Sequence, residues 1–468
     1  MAFNILETTI DEIHAAYKSG QLTCRQLVQM YLDRIEAYDK KGPAINAIIT
    51  LNSQALKEAD RLDAAFKASG FVGPLHGIPV VVKDQADAAG MPTTLGSVLF
   101  KNYHPERDCH VVANLKKAGA IILGKTTVGG SSGGSAACVA ANFSTVAVGQ
   151  EGLASIRRPS TWNSIAGMRP TAGLVSRGGV YAGWPSINGS LGPMARTVTD
   201  LAKLLDVMVG YDPEDPVTAR GVGHAPESYT RFLDKNGLKG ARLGILREPM
   251  GLGSEPDSDD FKKIDEVFNK AIGELKAAGA VLVDPIIIAD LKALLAKRAG
   301  SFTDEEESFK RYFSRSSNPP FQSRAEAAAS PDFAKVVRRS QERWKRAPDS
   351  NAHYEYLKAR EELMTNLLTV MADNKLDAIV HKTVEHQPTL IKDGVNPPFV
   401  DQKGAPHINT YLVYVPSIVV PAGFTRDNLP AGITFLGRPY DDGNIIKCAY
   451  AYEQATRHRK PPPTTTPL

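Results

Sequence analysis

Apolar residues recur at helical spacing at the start of the chain, with Ile10 and Ile13 in one stretch and Leu27, Tyr31 and Ile35 in another. Each stretch opens on a capping signature, Thr9 with Glu12 and Thr23 with Gln26, so the pattern predicts two scaffold helices. Short apolar runs follow at 78–82, 120–123, 144–148, 243–246, 281–283, 378–380 and 418–420, each flanked by helical patterns. Strands alternating with helices predict an α/β fold. Residues 125–195 are dense in Gly and Ser, whereas 290–372 are charged and helix-rich, so the chemistry is expected in the first. The acidic run Asp304, Glu305, Glu306 and Glu307 reads as a solvated helix face, because adjacent carboxylates point around a helix instead of converging on a metal. Arg457, His458, Arg459 and Lys460 read as a solvated end, and the final PPPTTTPL as an extended, mobile tail.

With 468 residues, 43% of them hydrophobic and 23% charged, the chain can bury a large core, and disorder and collagen are excluded. Length alone suggests about three domains, although one broad α/β sheet can absorb the whole chain. The near-neutral balance, +4, contains no basic block, so no nucleic-acid partner is expected. The longest uncharged apolar stretch, 411–424, is broken by Pro416 and Pro421 and falls short of the ~18 residues of a spanning helix, so no membrane partner is expected. Cys24, Cys109, Cys138 and Cys448 lie far apart without a CxxC pair, which predicts neither a disulfide framework nor a zinc ribbon. The first twenty residues lack the basic flank and apolar stretch of a secretory signal, and the expected location is the cytoplasm.

Two motifs mislead. Residues 119–126, GAIILGKT, match the phosphate-loop pattern, but that loop needs flexible small residues, and here 120–123 is itself an apolar strand. Gly129 to Gly133 fits the GxSxG elbow, yet no clear strand runs into it and no histidine announces itself as a partner. His381 and His386, five apart, do not make the i, i+4 pair of a helical zinc site, so no metal ligand is assigned.

Three features remain: Lys83 closing the apolar run 78–82, the run GGSSGGS with Ser131 and Ser132, and QEGLASIRRP with Ser155. Together they resemble the amidase signature family, from the N-terminal helices through Thr197 and again near 376–380 and 417–424. The 24-residue interval from Ser131 to Ser155 is similar to the family's spacing of bridging and nucleophilic serines. The resemblance implies an α/β fold with a central mixed, twisted sheet covered by helices on both faces. It implies a single domain over 1–468, with a catalytic core at about 60–210, C-terminal strands at about 374–455 and a substrate-shaping helical segment at about 290–372.

The resemblance further implies that Ser155 is the nucleophile, Ser131 the bridging serine and Lys83 the base, with a cis peptide bond between Gly130 and Ser131. Backbone amides of Gly152, Leu153, Ala154 and Ser155 are expected to form the oxyanion hole. Glu151, Arg157 and Ser132 are expected to support that turn, and Tyr181 and Trp184 to line the substrate pocket. These residue types suit the chemistry. A serine hydroxyl needs a base, a lysine serves only when neutral, and an apolar approach lowers its pKa from ~10.4. A second serine accepts a proton on one side and donates on the other.

Two departures stand out. Leu153 and Ala154 occupy positions where the family usually has glycines, which reshapes the hole if those amides need positive φ and otherwise narrows the acyl pocket. The interval from Lys83 to Ser131, 48 residues, is shorter than the family's by roughly two dozen, the shortfall falling between Thr127 and Val128. The expected activity is hydrolysis of a small amide, aryl acylamide or carbamate, without a cofactor. The alternatives are a glutaminase subunit of the glutamyl-tRNA amidotransferase A type and a catalytically silent scaffold. A homodimer is left open.

Overall fold

Both capping signatures close around real helix starts. Thr9 Oγ1 accepts from the Glu12 amide at 3.3 Å while Glu12 Oε2 accepts from the Thr9 amide at 2.8 Å, opening the helix Ile10–Lys18. Thr23 and Gln26 repeat the exchange at 3.1 and 2.9 Å to open Cys24–Tyr38. The computed structural model describes residues 3–127, 131–181, 189–300, 303, 305–406, 408–412 and 414–468.

Its strands in chain order are β1 (Ile48–Leu51), β2 (Pro79–Lys83), β3 (Ile121–Thr126), β4 (Val146–Glu151), β5 (Ala166–Arg169), β6 (Ser190–Ala195), β7 (Arg242–Leu246), β8 (Gly251–Leu252), β9 (Val281–Val283), β10 (Ala378–Lys382), β11 (Ala405–Pro406), β12 (Ser417–Phe424) and β13 (Pro430–Leu436). Eleven of them form one mixed sheet in the order β1-β3-β2-β4-β6-β5-β12-β13-β10-β7-β9, flanked by helices, while β8 and β11 pair apart. The seven apolar runs all lie in this sheet. The sequence pattern misses β5 and β6, which contain no β-branched residue; β6 even carries Gly192 and Pro193. Both strands are buried throughout, and strands covered on both faces show no alternation to read.

β2 lies between β3 and β4 and runs parallel to both, with Val82 opposite Val148, so the C-terminal ends of β2 and β4 open on the same edge. The helix Gly133–Ala140 packs against these strands, and it can approach closely because Gly134 has no side chain. A Cβ there would stand 2.4 Å from the Ala47 carbonyl oxygen and 2.6 Å from the Thr127 nitrogen. The phosphate-loop lookalike is the strand β3, and its Lys125 is buried against Asp84 at 3.7 Å.

Three surface expectations are corrected. Glu305 is buried, because Arg324 at 2.5 Å and Arg343 at 3.4 Å converge on it from the following helices. Arg459 is not solvated: it pairs with Glu7 at 2.8 Å and donates to the Ser164 and Ala140 carbonyls. The terminal tail is docked, since the buried Arg34 guanidinium donates to the carbonyls of Thr465 and Thr466 as well as those of Ala141 and Asn142.

Arg34→Ala should therefore lower unfolding stability by about 2–4 kcal/mol in urea titration and speed carboxypeptidase trimming of the tail. An unchanged midpoint with unchanged trimming would contradict the docking.

Candidate active site

Lys83 is the last residue of β2 and only 1% of it is exposed. Its Nζ donates to Ser131 Oγ at 2.8 Å and lies 3.4 Å from the Gln150 carbonyl oxygen and 3.5 Å from Gln150 Oε1. Burial, followed by the charge of Arg158, brings the amine down from its ordinary value to about 7, against the opposing pull of Glu151. An amine of that kind is substantially neutral near pH 7 and can accept a proton.

Ser131 stands just before the helix Gly133–Ala140 with φ at 73°, a left-handed conformation that costs a side-chain-bearing residue about 1–2 kcal/mol. The surroundings impose it. The neighbouring Ser132 hydroxyl donates to the Gln150 carbonyl and accepts from the Gln150 amide, both at 3.2 Å, and the Ser132 amide donates to the Ser155 carbonyl at 3.1 Å. Ser135 adds a bond from its hydroxyl to the Val148 carbonyl at 3.1 Å. Residues 132–135 are thus stitched along β4 and onto the backbone of Ser155.

Ser155 lies in the turn between β4 and the helix Arg157–Trp162 and is 7% exposed. Among the described residues, its hydrogen bonding to the bridging segment runs through its carbonyl, not its hydroxyl. The preceding turn is free of left-handed strain, because Gly152, Leu153 and Ala154 all keep negative φ; Leu153 and Ala154 therefore replace glycine without a conformational penalty. The carbonyls of Leu153 and Ala154 accept from Arg157 Nη2 at 3.2 Å and the Arg158 amide at 2.9 Å. Among the described residues, no hydrogen bond leaves the amides of Gly152, Leu153, Ala154 or Ser155.

Glu151 closes the turn from below. Its Oε2 accepts from the Ile156 and Arg157 amides at 2.9 and 3.0 Å, and its Oε1 accepts from Arg157 Nε at 2.9 Å and Asn409 Nδ2 at 3.2 Å. Burial pushes this carboxyl up, but Arg157, Arg169 and the two amides outweigh it and hold it below its usual value.

Tyr181 exchanges backbone and side-chain bonds with Gln85, two residues beyond Lys83, and its ring lies 5.3 Å from that of Tyr312. Tyr312 in turn donates to Asp87 at 2.6 Å, which fixes the helix Glu305–Phe313 to the segment following β2. Phe100, Phe309 and Phe313 complete an aromatic wall beside Tyr181. Trp184 and the Gly130 side of the expected cis bond lie outside the described residues. The motif QEGLASIRRP contains Gln150 and Arg158, but sequence reading gave neither a role beside Lys83. Their nearness to Lys83 follows from the pairing of β2 with β4 and from the helix after Ser155, neither of which leaves a mark in a linear motif. Among the described residues, no cluster of three or more His, Cys, Asp or Glu could hold a metal ion.

A family model described as Amidase matches residues 26–128 and 127–446, two stretches that meet where the Lys83-to-Ser131 interval is short. A probable amidase from Arabidopsis thaliana is 32% identical, with 98% of this chain and 92% of that protein covered. The A-type subunit of the glutamyl-tRNA(Gln) amidotransferase from Dehalococcoides mccartyi is 29% identical, with 98% of this chain and 99% of that protein covered. The structure of native peptide amidase from Stenotrophomonas maltophilia superposes with a TM-score of 0.86 at 32% identity, covering 98% of this chain and 99% of that one.

The depressed lysine has a stability signature. Between pH 7 and 10.5 the unfolded chain holds a proton on Lys83 that the folded chain lacks, so this group's contribution to stability rises with pH across that window, by about 5 kcal/mol in total. Lys83→Met removes the term. The variant should melt above the wild type at pH 7, with the gap narrowing toward pH 10 in parallel thermal scans. A gap that stays constant with pH would contradict a buried, depressed amine.

Proposed function

The chain belongs to the amidase family, and from that premise we propose that it hydrolyses a small carboxamide through an acyl-enzyme on Ser155, with Ser131 and Lys83 as its proton relay. The observation that carries this reading is the buried Lys83 amine, 2.8 Å from Ser131 Oγ. In the first step Ser155 oxygen bonds the acyl carbon, its proton passes to Ser131, and the Ser131 proton passes to Lys83. The relay then reverses, delivering a proton to the departing amine nitrogen as the C–N bond breaks. Water repeats the cycle on the ester, giving the acid and restoring Ser155.

The unpartnered amides of Gly152 to Ser155 are the donors proposed for the oxyanion, each worth roughly 3 kcal/mol when aimed at the developing charge. Glu151 and Arg157 act by fixing the turn that carries them. The aromatic wall around Tyr181 favours an acyl or amine portion with a flat or apolar group, and the likeness to peptide amidase makes peptide amides the first class to try, beside aryl acylamides and carbamates. The likeness to amidotransferase subunits of the A type supports a second reading, glutamine hydrolysis, in which ammonia passes to a partner.

Incubating the purified chain with N-acetylphenylalaninamide, 4-nitroacetanilide, an aryl carbamate and glutamine should yield turnover of one of the first three. Ser155→Ala should abolish it, and Lys83→Ala should lower kcat by about 10²–10⁴-fold. The wild-type pH profile should carry a rising limb near the Lys83 value of about 7. Turnover of glutamine alone would favour the second reading, and full activity in either variant would refute the relay.

A further inference from the structure

The relay needs more than a neutral amine: the lone pair of Lys83 must face Ser131. A neutral lysine nitrogen has one lone pair and two N–H bonds arranged around its carbon, so whatever accepts the two hydrogens decides where the lone pair points. Among the described residues, the oxygens that hydrogen-bond Nζ, apart from Ser131 Oγ, both belong to one residue. They are the Gln150 carbonyl at 3.4 Å and Gln150 Oε1 at 3.5 Å. Gln150 is itself 2% exposed, its amide and carbonyl are clamped by the Ser132 hydroxyl, and its Nε2 is buried with no partner among the described residues. A buried carboxamide with an unsatisfied donor is costly, and packing alone would be better served by an apolar side chain.

We propose that Gln150 is the positioning residue for the base, its backbone and side-chain oxygens taking the two N–H bonds of neutral Lys83 so that the lone pair faces the Ser131 hydroxyl. This rests on Lys83 being the base of the proposed relay. When Ser131 gives up its proton, the O–H bond breaks and a third N–H forms on Lys83. The ammonium then donates to both Gln150 oxygens and to Ser131 Oγ, so no side chain has to move. The charged groups that set the amine's environment are Arg158 on the helix after Ser155, which disfavours the ammonium, and Glu151 of β4, which favours it. The neighbouring Asp84, just past the end of β2, and Lys125 of β3 pair with each other.

The test needs no natural substrate. A fluorophosphonate probe reports the nucleophile directly, since Ser155 oxygen bonds phosphorus, fluoride departs and the serine proton enters the relay. Labelling rates are measured from pH 5.5 to 9.5 on folded wild type, Gln150→Glu, Gln150→Met and Ser155→Ala. Gln150→Glu places a carboxylate beside the amine and should raise the midpoint of the rising limb by at least about one pH unit. Gln150→Met, which removes an acceptor while keeping the volume, should lower that midpoint and slow labelling at pH 8 roughly tenfold. Should the glutamate variant not fold, the methionine variant carries the same test. Midpoints within about 0.3 unit of wild type, with unchanged rates, would overturn the assignment. If Ser155→Ala still labels like wild type, the relay itself fails. If labelling vanishes there while the Gln150 variants behave as wild type, only the role of Gln150 falls.

Discussion

An amine enclosed at the end of a parallel strand is a constraint on everything around it. Charged, Lys83 would need its full hydration replaced by protein; neutral, it needs only acceptors for its hydrogens and a donor for its lone pair. The structure supplies the second set. The hydroxyl of Ser131 stands at hydrogen-bond distance, Gln150 presents two oxygens, and the Arg158 charge tilts the balance further from the ammonium. The apolar neighbours Val80, Val81 and Val82, all fully buried, remove the water that would otherwise restore an ordinary pKa.

Holding Ser131 at that amine requires rigidity, and it comes from hydrogen bonds running through the backbone, which also tie the segment after Ser131 to the Ser155 carbonyl. Ser132 and Ser135 fasten residues 132–135 to β4, directly after Ser131 in its left-handed conformation. Gly149 lets the two layers touch, since a Cβ there would meet Met194 Sδ at 2.7 Å and Ile156 Cγ1 at 2.9 Å. On the other side, Glu151 binds the first amides of the helix after Ser155 and reaches Asn409, whose side chain also donates to Ser417 of β12. Arg169 of β5 donates to the Asn409 carbonyl at 2.6 Å. Asn409, from the C-terminal third of the chain, thereby helps to support a turn near residue 155, and the sheet places β12 and β13 between β5 and β10.

Much of this was written locally in the chain. Thr9 and Thr23 announce their helices because a cap needs only residues three apart. The run ending at Lys83 reads as a strand because it is apolar without interruption. What escaped linear reading depends on partners distant in sequence. Glu305 looks solvated until Arg324 and Arg343 fold over it, and Thr465 looks disordered until Arg34 receives it. Gln150 looks like one more strand residue, and only the register of β4 against β2 brings it to the lysine. The sites legible in sequence are those whose chemistry demands a residue type; the ones missed are those whose role is set by geometry alone.

The proposed relay depends above all on the amine at position 83 being uncharged in the working enzyme. Nitrogen-15 and carbon-13 NMR of lysine-labelled protein, with the Lys83→Met variant identifying the signal, measures this without any assay of turnover. The Lys83 resonance should titrate with a midpoint near 7. A midpoint at the ordinary lysine value of about 10.4 would contradict the relay.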